Sequence, residues 1–176
     1  ILALQVELGE LANEWRGFKY WGDYDVPEGV QKSKCDCCEG KGFYDQFNSS
    51  EGHWTVPCHY CSGSGLNPLL EEYADVLHFA LSIGNDLGGL SESFEKSITF
   101  YSWEHWSVEK HFFEVTKLLV NVQMQIENSS KDKMMYALLL QQVIRLGHKL
   151  GFTWEQIEEA YYIKNKINHE RQEANY

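Results

Sequence analysis

The fold of this chain is decided by residues 69–81, which read LLEEYADVLHFAL. Apolar side chains occur at nearly every position of this stretch, and a helix that is apolar on almost all sides lies buried between other elements. Glu72 and Asp75 interrupt the pattern with i, i+3 spacing, which places both carboxylates on one side of the helix. Carboxylates in such a setting need compensation by a metal ion or a cation. The stretch therefore predicts a largely buried helix and a charged site on it.

Helix signals around this stretch predict an all-α helical bundle with a small insert. Asn67 followed by Pro68 suits a helix start, and Gly84 is expected to end that helix. Thr153 and Gln156 form a capping-box pattern at another start. Further helices are predicted over residues 1–19, 107–127, 130–150 and 153–169, whereas residues 91–106 are expected to form one short helix and a connection.

Composition restricts the class of protein. A chain of 176 residues is long enough for one well-buried domain plus a small module. The formal net charge of −11 argues against nucleic-acid binding, which depends on clustered Lys and Arg. The chain has no long uninterrupted apolar run, so we expect no membrane span. It opens on Ile1 inside a helical pattern that is neither a signal peptide nor a natural start, which leaves an upstream segment open. Four of the five cysteines have metal-ligand spacing and no secretion signal is seen, so we expect a reducing, cytoplasmic location.

A second acidic pair lies near the start of the chain. Glu7 and Glu10 have the same i, i+3 spacing as Glu72 and Asp75. Two such helices facing each other would bring four carboxylates together. Oxygen donors of this kind suit Mg²⁺, whose coordination is usually completed by substrate phosphates. The patterns therefore predict a magnesium site for a phosphate-containing substrate, although a single pair is also typical of an ordinary solvated helix face.

The last helix carries two cations and an amide on one side. Lys164, Asn168 and Arg171 occur at i, i+4 and i+7, a spacing that suits the clamping of a polyphosphate. The same side chains would also fit a solvated face paired with neighbouring glutamates. The pattern alone leaves both interpretations open.

Two copies of the pattern C-x-x-C-x-G-x-G begin at Cys35 and Cys58. Their spacing is typical of a tetrahedral four-cysteine zinc site, and the glycines permit tight turns in which backbone amides approach the sulfur atoms. The predicted structural Zn²⁺ ligands are Cys35, Cys38, Cys58 and Cys61, with Cys37 as a spare and His53 and His59 as alternative donors. The short strand-like segments 42–47 and 52–56 cannot bury a core alone, so zinc is expected to supply folding free energy. The repeat is also similar to the zinc modules of DnaJ-type chaperones.

Four patterns together resemble one family. They are E-x-x-E at residues 7–10, aromatic-Lys-x-Trp at 18–21, E-x-x-D-x-x-H-F at 72–79 and K-N-x-x-N-x-x-R-Q at 164–172. In this order they are similar to the dimeric, all-α dUTPase family, part of the MazG-like group of nucleoside triphosphate pyrophosphatases. The likeness predicts a helical catalytic domain over residues 1–21 and 67–176, and an inserted zinc module over residues 22–66.

The resemblance implies Mg²⁺-dependent hydrolysis of dUTP, with dUDP as a further substrate, by a homodimer. It implies that the Mg²⁺ ligands are Glu7, Glu10, Glu72 and Asp75, with Glu10 positioning or deprotonating the attacking water. It places Trp21, His78 and Phe79 around the nucleoside, and Lys19, Lys164, Asn168 and Arg171 toward the phosphates. Taken alone, His78 and Phe79 also fit ordinary core positions. Two alternatives are a pyrophosphatase for another nucleotide such as dCTP, and a non-catalytic zinc-containing binding protein on the same scaffold.

Overall fold

The computed structural model describes residues 1–90, 105–130 and 132–173, apart from the side chains of Arg171 and Gln172. Within these ranges the helices are α1 (Leu2–Trp15), α2 (Pro68–Asp86), α3 (Val108–Glu127), α4 (Met134–Lys149) and α5 (Trp154–Glu173), and the strands are β1 (Phe43–Asn48) and β2 (Gly52–Pro57). The all-α prediction is confirmed. The short helix and connection predicted over residues 91–106 lie almost entirely outside the described residues.

Helix α2 lies at the centre of the helical body. It contacts α1, α4 and α5, while α3 packs against α1 and α4. Leu70, Tyr73 and Val76 are fully buried, as the apolar pattern of α2 predicts. The Tyr73 hydroxyl donates a hydrogen bond to the carbonyl of Val143 at 3.0 Å, which satisfies a buried polar group and joins α2 to α4. Among the helices of the described residues, none has the length and apolar character that a bilayer crossing requires.

Helix α1 contributes one apolar stripe to the core. Leu4, Leu8, Leu11 and Trp15 are buried, and each leucine contributes about 1.5–3 kcal/mol through burial. The helix ends at Trp15 because Arg16 adopts a left-handed conformation with φ 62°, which stops the helical hydrogen-bond ladder. The predicted helix over residues 1–19 is therefore too long by its last turn.

Local capping explains the starts of α2 and α5. The Asn67 side chain accepts a hydrogen bond from the Leu69 amide at 3.0 Å, as predicted. The capping box is also confirmed, since the Thr153 amide donates to the Gln156 side chain at 2.8 Å and the Gln156 amide donates back to the Thr153 hydroxyl at 3.4 Å. The helix predicted from residue 130 instead begins at Met134, whose amide donates to the Asp132 carboxylate at 2.9 Å.

Gly84 does not end α2, which continues to Asp86. A Cβ atom at Gly84 would collide with the hydroxyl end of Tyr136 on α4. The glycine is therefore explained by close packing between α2 and α4, and the sequence expectation of a helix stop there is wrong.

Residues 35–65, which we call the cysteine module, lie between α1 and α2. Their strands pair antiparallel with Gln46 opposite Trp54, so the two short strands predicted from the sequence are confirmed. Nearly all side chains of the hairpin are at least partly exposed, and the hairpin buries little apolar surface. The ends of the module are held together, because the Cys35 amide donates to the Gly65 carbonyl at 2.9 Å.

Candidate functional site

Three carboxylates from two helices converge on one side of the helical body. Helix α1 presents Glu7, and α2 presents Glu72 and Asp75, with one oxygen atom of each lying within 4.8 Å of the others. We call these three residues the acidic group. All three are half-buried. Carboxylate oxygens at this separation fit a hard divalent cation such as Mg²⁺.

Burial and mutual repulsion act on the protonation of the acidic group. Burial raises the pKa of Glu72 to about 7, with further contributions from the negative charges of Asp75 and Glu10. The pKa of Glu7 is also raised, first by burial and then by the same two neighbours. A divalent cation would relieve this repulsion and favour the ionised carboxylates. The acidic group therefore fits a metal ion in its electrostatics as well as in its donor atoms.

Glu10 stands apart from the acidic group. It lies one turn beyond Glu7 on α1 and is exposed, and it is not one of the three converging residues. Its charge nevertheless reaches the group, since it contributes to the raised pKa of Glu72. The sequence predicts four converging carboxylates, and the structure brings three of them together with the fourth at the edge.

Lys164 is the counter-ion of this site. Its ammonium lies 2.8 Å from Asp75 and 3.0 Å from Glu71, and only 8% of its side chain is exposed. Burial alone would lower the pKa of Lys164, but the ion pairs with Asp75 and Glu71 outweigh it and raise that pKa. The lysine is therefore held as a charged group against α2.

A cleft of about 530 Å³ opens beside the acidic group. Its lining residues are Glu7, Asp75, His78, Phe79, Lys164, Asn165, Asn168 and His169. The volume lies within the range of small-molecule sites. His78 stacks on Tyr161 with ring centroids 4.5 Å apart, and Phe79 is 37% exposed. Both side chains therefore form cleft wall and are not fully buried core residues.

The cysteine module holds a second candidate metal site. Sulfur atoms of four buried residues lie within 4.8 Å of one another, namely Cys35, Cys38, Cys58 and Cys61. The Gly42 amide donates to the Cys38 sulfur at 3.2 Å, and the Gly65 amide donates to the Cys61 sulfur at 3.3 Å. Burial raises the pKa of the Cys35 thiol to about 12, so its thiolate form requires a bound cation. A closed set of four sulfur donors fits a structural zinc ion.

Comparison with known proteins identifies the family. A family model described as dUTPase matches residues 1–37 and 61–176. The chain belongs to the dUTPase family. No curated protein matched the chain, and no solved structure did. Membership of the dUTPase family supports nucleoside triphosphate pyrophosphatase activity in general.

The unmatched residues 38–60 lie inside the cysteine module of this dUTPase-family chain. They include β1 and β2, whereas the matched residues contain every described helix. The residues that depart from the family model therefore include the hairpin, which buries little apolar surface.

Two residues that the family resemblance assigns to the substrate lie outside the cleft of this dUTPase-family chain. Lys19 and Trp21 are not among the lining residues of the cleft. The Lys19 ammonium lies 5.5 Å from the centre of the Phe18 ring, and Trp21 is 63% exposed and packs on the ring of Phe18. The side chain of Arg171 lies outside the described residues. Asn168, by contrast, lines the cleft.

Sequence reasoning missed Glu71. One oxygen of its carboxylate accepts a hydrogen bond from the Ser64 hydroxyl at 2.6 Å, and the other accepts from the Lys164 ammonium at 3.0 Å. Glu71 precedes Asp75 by four residues, which places both carboxylates on the same side of α2. That spacing is the sequence signal that would have identified it, and Asn165 and His169 would have followed from their position beside Asn168 on α5.

Proposed function

We propose that this chain hydrolyses dUTP to dUMP and pyrophosphate in a Mg²⁺-dependent reaction. The observation that carries the proposal is the position of the acidic group at the cleft, since Glu7 and Asp75 belong to both. The match to the dUTPase family gives this arrangement its chemical interpretation. A nucleotide in the cleft would bring its phosphate chain next to the carboxylates.

The acidic group is assigned to hold Mg²⁺. When bound there, Mg²⁺ neutralises charge on the phosphate chain and lowers the pKa of a coordinated water. Glu10 is assigned as a fourth acid that orients the attacking water and accepts its proton, by direct contact with the water or as a further ligand. Its exposure at the edge of the acidic group leaves room for a water molecule beside its carboxylate.

The phosphate chain is assigned to α5. Lys164 borders the cleft, and its ammonium would turn from Asp75 toward a phosphate oxygen once that carboxylate binds a cation. Asn168 lies one turn further along the helix and lines the same cleft, where its side-chain amide can donate hydrogen bonds. Arg171 follows on the same helical face in the sequence and is assigned to the terminal phosphates, with Lys19 as a further cation.

The nucleoside is assigned to the aromatic wall of the cleft. His78 and Phe79 line the cleft, and aromatic side chains suit the stacking of a base. Trp21 is assigned to the nucleoside as well, on the basis of family resemblance.

We also propose that the protein is a homodimer, as the family resemblance implies. Phe113, Val120 and Met124 follow one side of α3 at helical spacing and are 72%, 53% and 54% exposed. An exposed apolar stripe of this kind is typical of a protein interface. Size-exclusion chromatography with light scattering tests the proposal, and Phe113→Glu is expected to shift the protein toward the monomer.

The domain division is likewise proposed. A helical catalytic domain over residues 1–21 and 67–176 would carry the acidic group and the cleft, and residues 22–66 would form a zinc-binding insert. The interruption of the family match at residues 38–60 supports an insertion in this region. The four-cysteine site is assigned to structural Zn²⁺.

The function is tested with a panel of nucleotides. Purified protein is incubated with Mg²⁺ and with dUTP, dCTP, dTTP or UTP, and nucleoside monophosphate and pyrophosphate are measured separately. We expect dUTP to be hydrolysed most efficiently and Asp75→Asn to lower its turnover by about a thousandfold. A preference for dCTP would overturn the base assignment. No turnover of any nucleotide by the Mg²⁺- and Zn²⁺-loaded protein would overturn the enzymatic assignment in favour of a binding protein.

A further inference from the structure

We propose that the cysteine module controls the cation affinity of the acidic group through Ser64, Glu71 and Lys164. The inference rests on the proposed function in taking the acidic group as a cation site. Ser64 and Glu71 act as positioning residues, because neither belongs to the acidic group or to the lining of the cleft. The two metal sites would then be coupled through one chain of contacts.

The first contact in this chain depends on the sulfur cluster. Ser64 lies in the turn that follows Cys61, and its hydroxyl lies 2.9 Å from the Cys61 carbonyl and 2.6 Å from a Glu71 oxygen. The next residue in the turn, Gly65, donates its amide to the Cys61 sulfur. The turn is therefore wrapped around one of the four sulfur atoms, and the position of the Ser64 hydroxyl follows the position of that sulfur.

The second contact joins the module to the counter-ion. The two oxygens of the Glu71 carboxylate face different partners, one toward Ser64 and the other toward Lys164. The Glu71 side chain is only 15% exposed, so water has little access to these two contacts. The Ser64 hydroxyl thus fixes the carboxylate in the orientation that receives the ammonium.

The third contact determines what a cation meets at Asp75. The Lys164 ammonium lies between Glu71 and Asp75, and its positive charge opposes a cation that approaches the Asp75 oxygen. A buried ammonium needs a partner at all times. Glu71 is the carboxylate that can retain Lys164 when Asp75 turns to a cation, and it also offsets the lysine charge.

The direction of each effect follows from this arrangement. Glu71→Gln removes the charge that retains Lys164, so the ammonium stays on Asp75 and cation binding should weaken about tenfold, within the range found for residues in contact. Ser64→Ala leaves the charge of Glu71 in place but removes the hydrogen bond that orients its carboxylate. We expect cation binding to weaken about threefold. Ser64→Thr keeps the hydroxyl and should restore the affinity.

The experiment measures Mn²⁺ binding to the zinc-loaded protein by electron paramagnetic resonance, without nucleotide. Ser62→Ala is the matched control, because Ser62 is exposed in the same turn. The double variant of Ser64→Ala and Glu71→Gln should bind Mn²⁺ as Glu71→Gln does, since both changes act through one contact. Zinc content is measured in every variant, so that loss of the sulfur site is recognised.

The outcomes separate this inference from the proposed function. Unchanged Mn²⁺ dissociation constants in Ser64→Ala and Glu71→Gln would overturn the coupling even if the protein hydrolyses dUTP. Equal weakening by Ser62→Ala, or additive weakening in the double variant, would also overturn it. Absence of nucleotide turnover would overturn the proposed function and would leave the Mn²⁺ measurement fully informative.

Discussion

The ammonium of Lys164 on α5 lies 2.8 Å from a carboxylate oxygen of Asp75 on α2. This ion pair joins two helices that are far apart in the sequence, and it stands at the edge of the cleft beside the acidic group. In the absence of a divalent cation, it offsets part of the negative charge that Glu7, Glu72 and Asp75 concentrate there. A cation bound to the acidic group would therefore act on the same contact that joins the two helices.

Lys164→Met tests the counter-ion role. We expect the free energy of unfolding of the Mg²⁺-free protein to fall by about 3 kcal/mol, because the change leaves the half-buried carboxylates of Glu71 and Asp75 without their cation. Mg²⁺ should stabilise this variant more than the wild type, since the added ion replaces the missing charge. Thermal unfolding with and without Mg²⁺ gives both quantities. Lys166→Met, which changes a 79% exposed lysine of the same helix, should behave as wild type, and equal behaviour of the two variants would contradict the prediction.

Glu10→Gln and Asp75→Asn test the carboxylate roles. Each is expected to leave the helical circular dichroism spectrum intact and to lower dUTP turnover by about a thousandfold, because each removes an anionic group from the reacting centre. Pyrophosphate release at saturating Mg²⁺ is the measurement. Glu159→Gln removes an exposed charge from α5 and should retain full activity. Normal turnover by both site variants would refute the assignment.

The raised pKa of Glu72 predicts a pH dependence. Because this pKa is about 7, Mg²⁺ should bind more tightly as pH rises from 6 to 8, when the carboxylate becomes fully ionised. In the Mg²⁺-free protein, the stability of the fold changes with pH in the opposite direction. The pKa of Glu72 in the folded state lies above the ordinary value of 4.5. Its contribution to the stability of the fold is therefore fully present below pH 4.5 and is lost as pH rises through about 7.

Titration calorimetry with Mg²⁺ at several pH values and thermal unfolding in the presence of a chelator measure the two trends. Glu72→Gln removes the titrating group and should flatten the difference in stability between pH 5 and pH 8. A wild-type protein whose Mg²⁺ affinity is the same at pH 6 and pH 8 would show that Glu72 is not protonated in this range.

Cys38→Ser tests the zinc site. Loss of one of four sulfur donors should loosen residues 33–65 while α1 and α2 keep their protection, because metal binding supplies the folding free energy of this region. Hydrogen exchange with mass spectrometry resolves the two regions. Cys37→Ser is the matched control, since Cys37 is exposed and outside the cluster. If residues 33–65 of zinc-depleted Cys38→Ser exchange as slowly as those of the zinc-loaded wild type, a structural role for the metal is contradicted.

Gly65→Ala tests the close approach of the two cysteine turns. Gly65 has φ 75°, and a Cβ atom there would collide with the Gly40 carbonyl, so the change should displace the turn and weaken zinc binding. Gly52 has φ 82° and open space around the Cβ position, so Gly52→Ala carries the same backbone strain without the collision. Competition with a chromogenic chelator compares their zinc affinities. Equal affinities would show that backbone strain alone accounts for the effect.

Local signals made much of the fold predictable. The caps at Asn67 and Thr153 depend on side chains and amides within three residues of each other, so the starts of α2 and α5 followed from the sequence. The four cysteines were predictable for a similar reason, since C-x-x-C spacing restricts each pair to one turn. The role of Gly84 was not predictable, because this glycine permits close packing against Tyr136 on another helix. Such a contact leaves no trace in the local pattern.

The candidate site was only partly predictable, because its charges are paired through space. The i, i+3 spacing of Glu72 and Asp75 placed them on one face, and the family resemblance linked them to Glu7. The partners of Lys164 depend on how α5 crosses α2, which no spacing within either helix expresses. The contact between Ser64 and Glu71 depends on the folding of the cysteine module against α2, and it also required the coordinates.

The chain enters and leaves the cysteine module at almost the same place. The Asn67 amide donates to the Ser33 carbonyl at 2.9 Å, next to the contact between Cys35 and Gly65. Residues 33–67 therefore form a closed loop whose two ends meet at the start of α2, and lengthening a closed loop costs little additional entropy. Because its ends meet at one junction, this side branch can be exchanged as a cassette without repacking the helical interior.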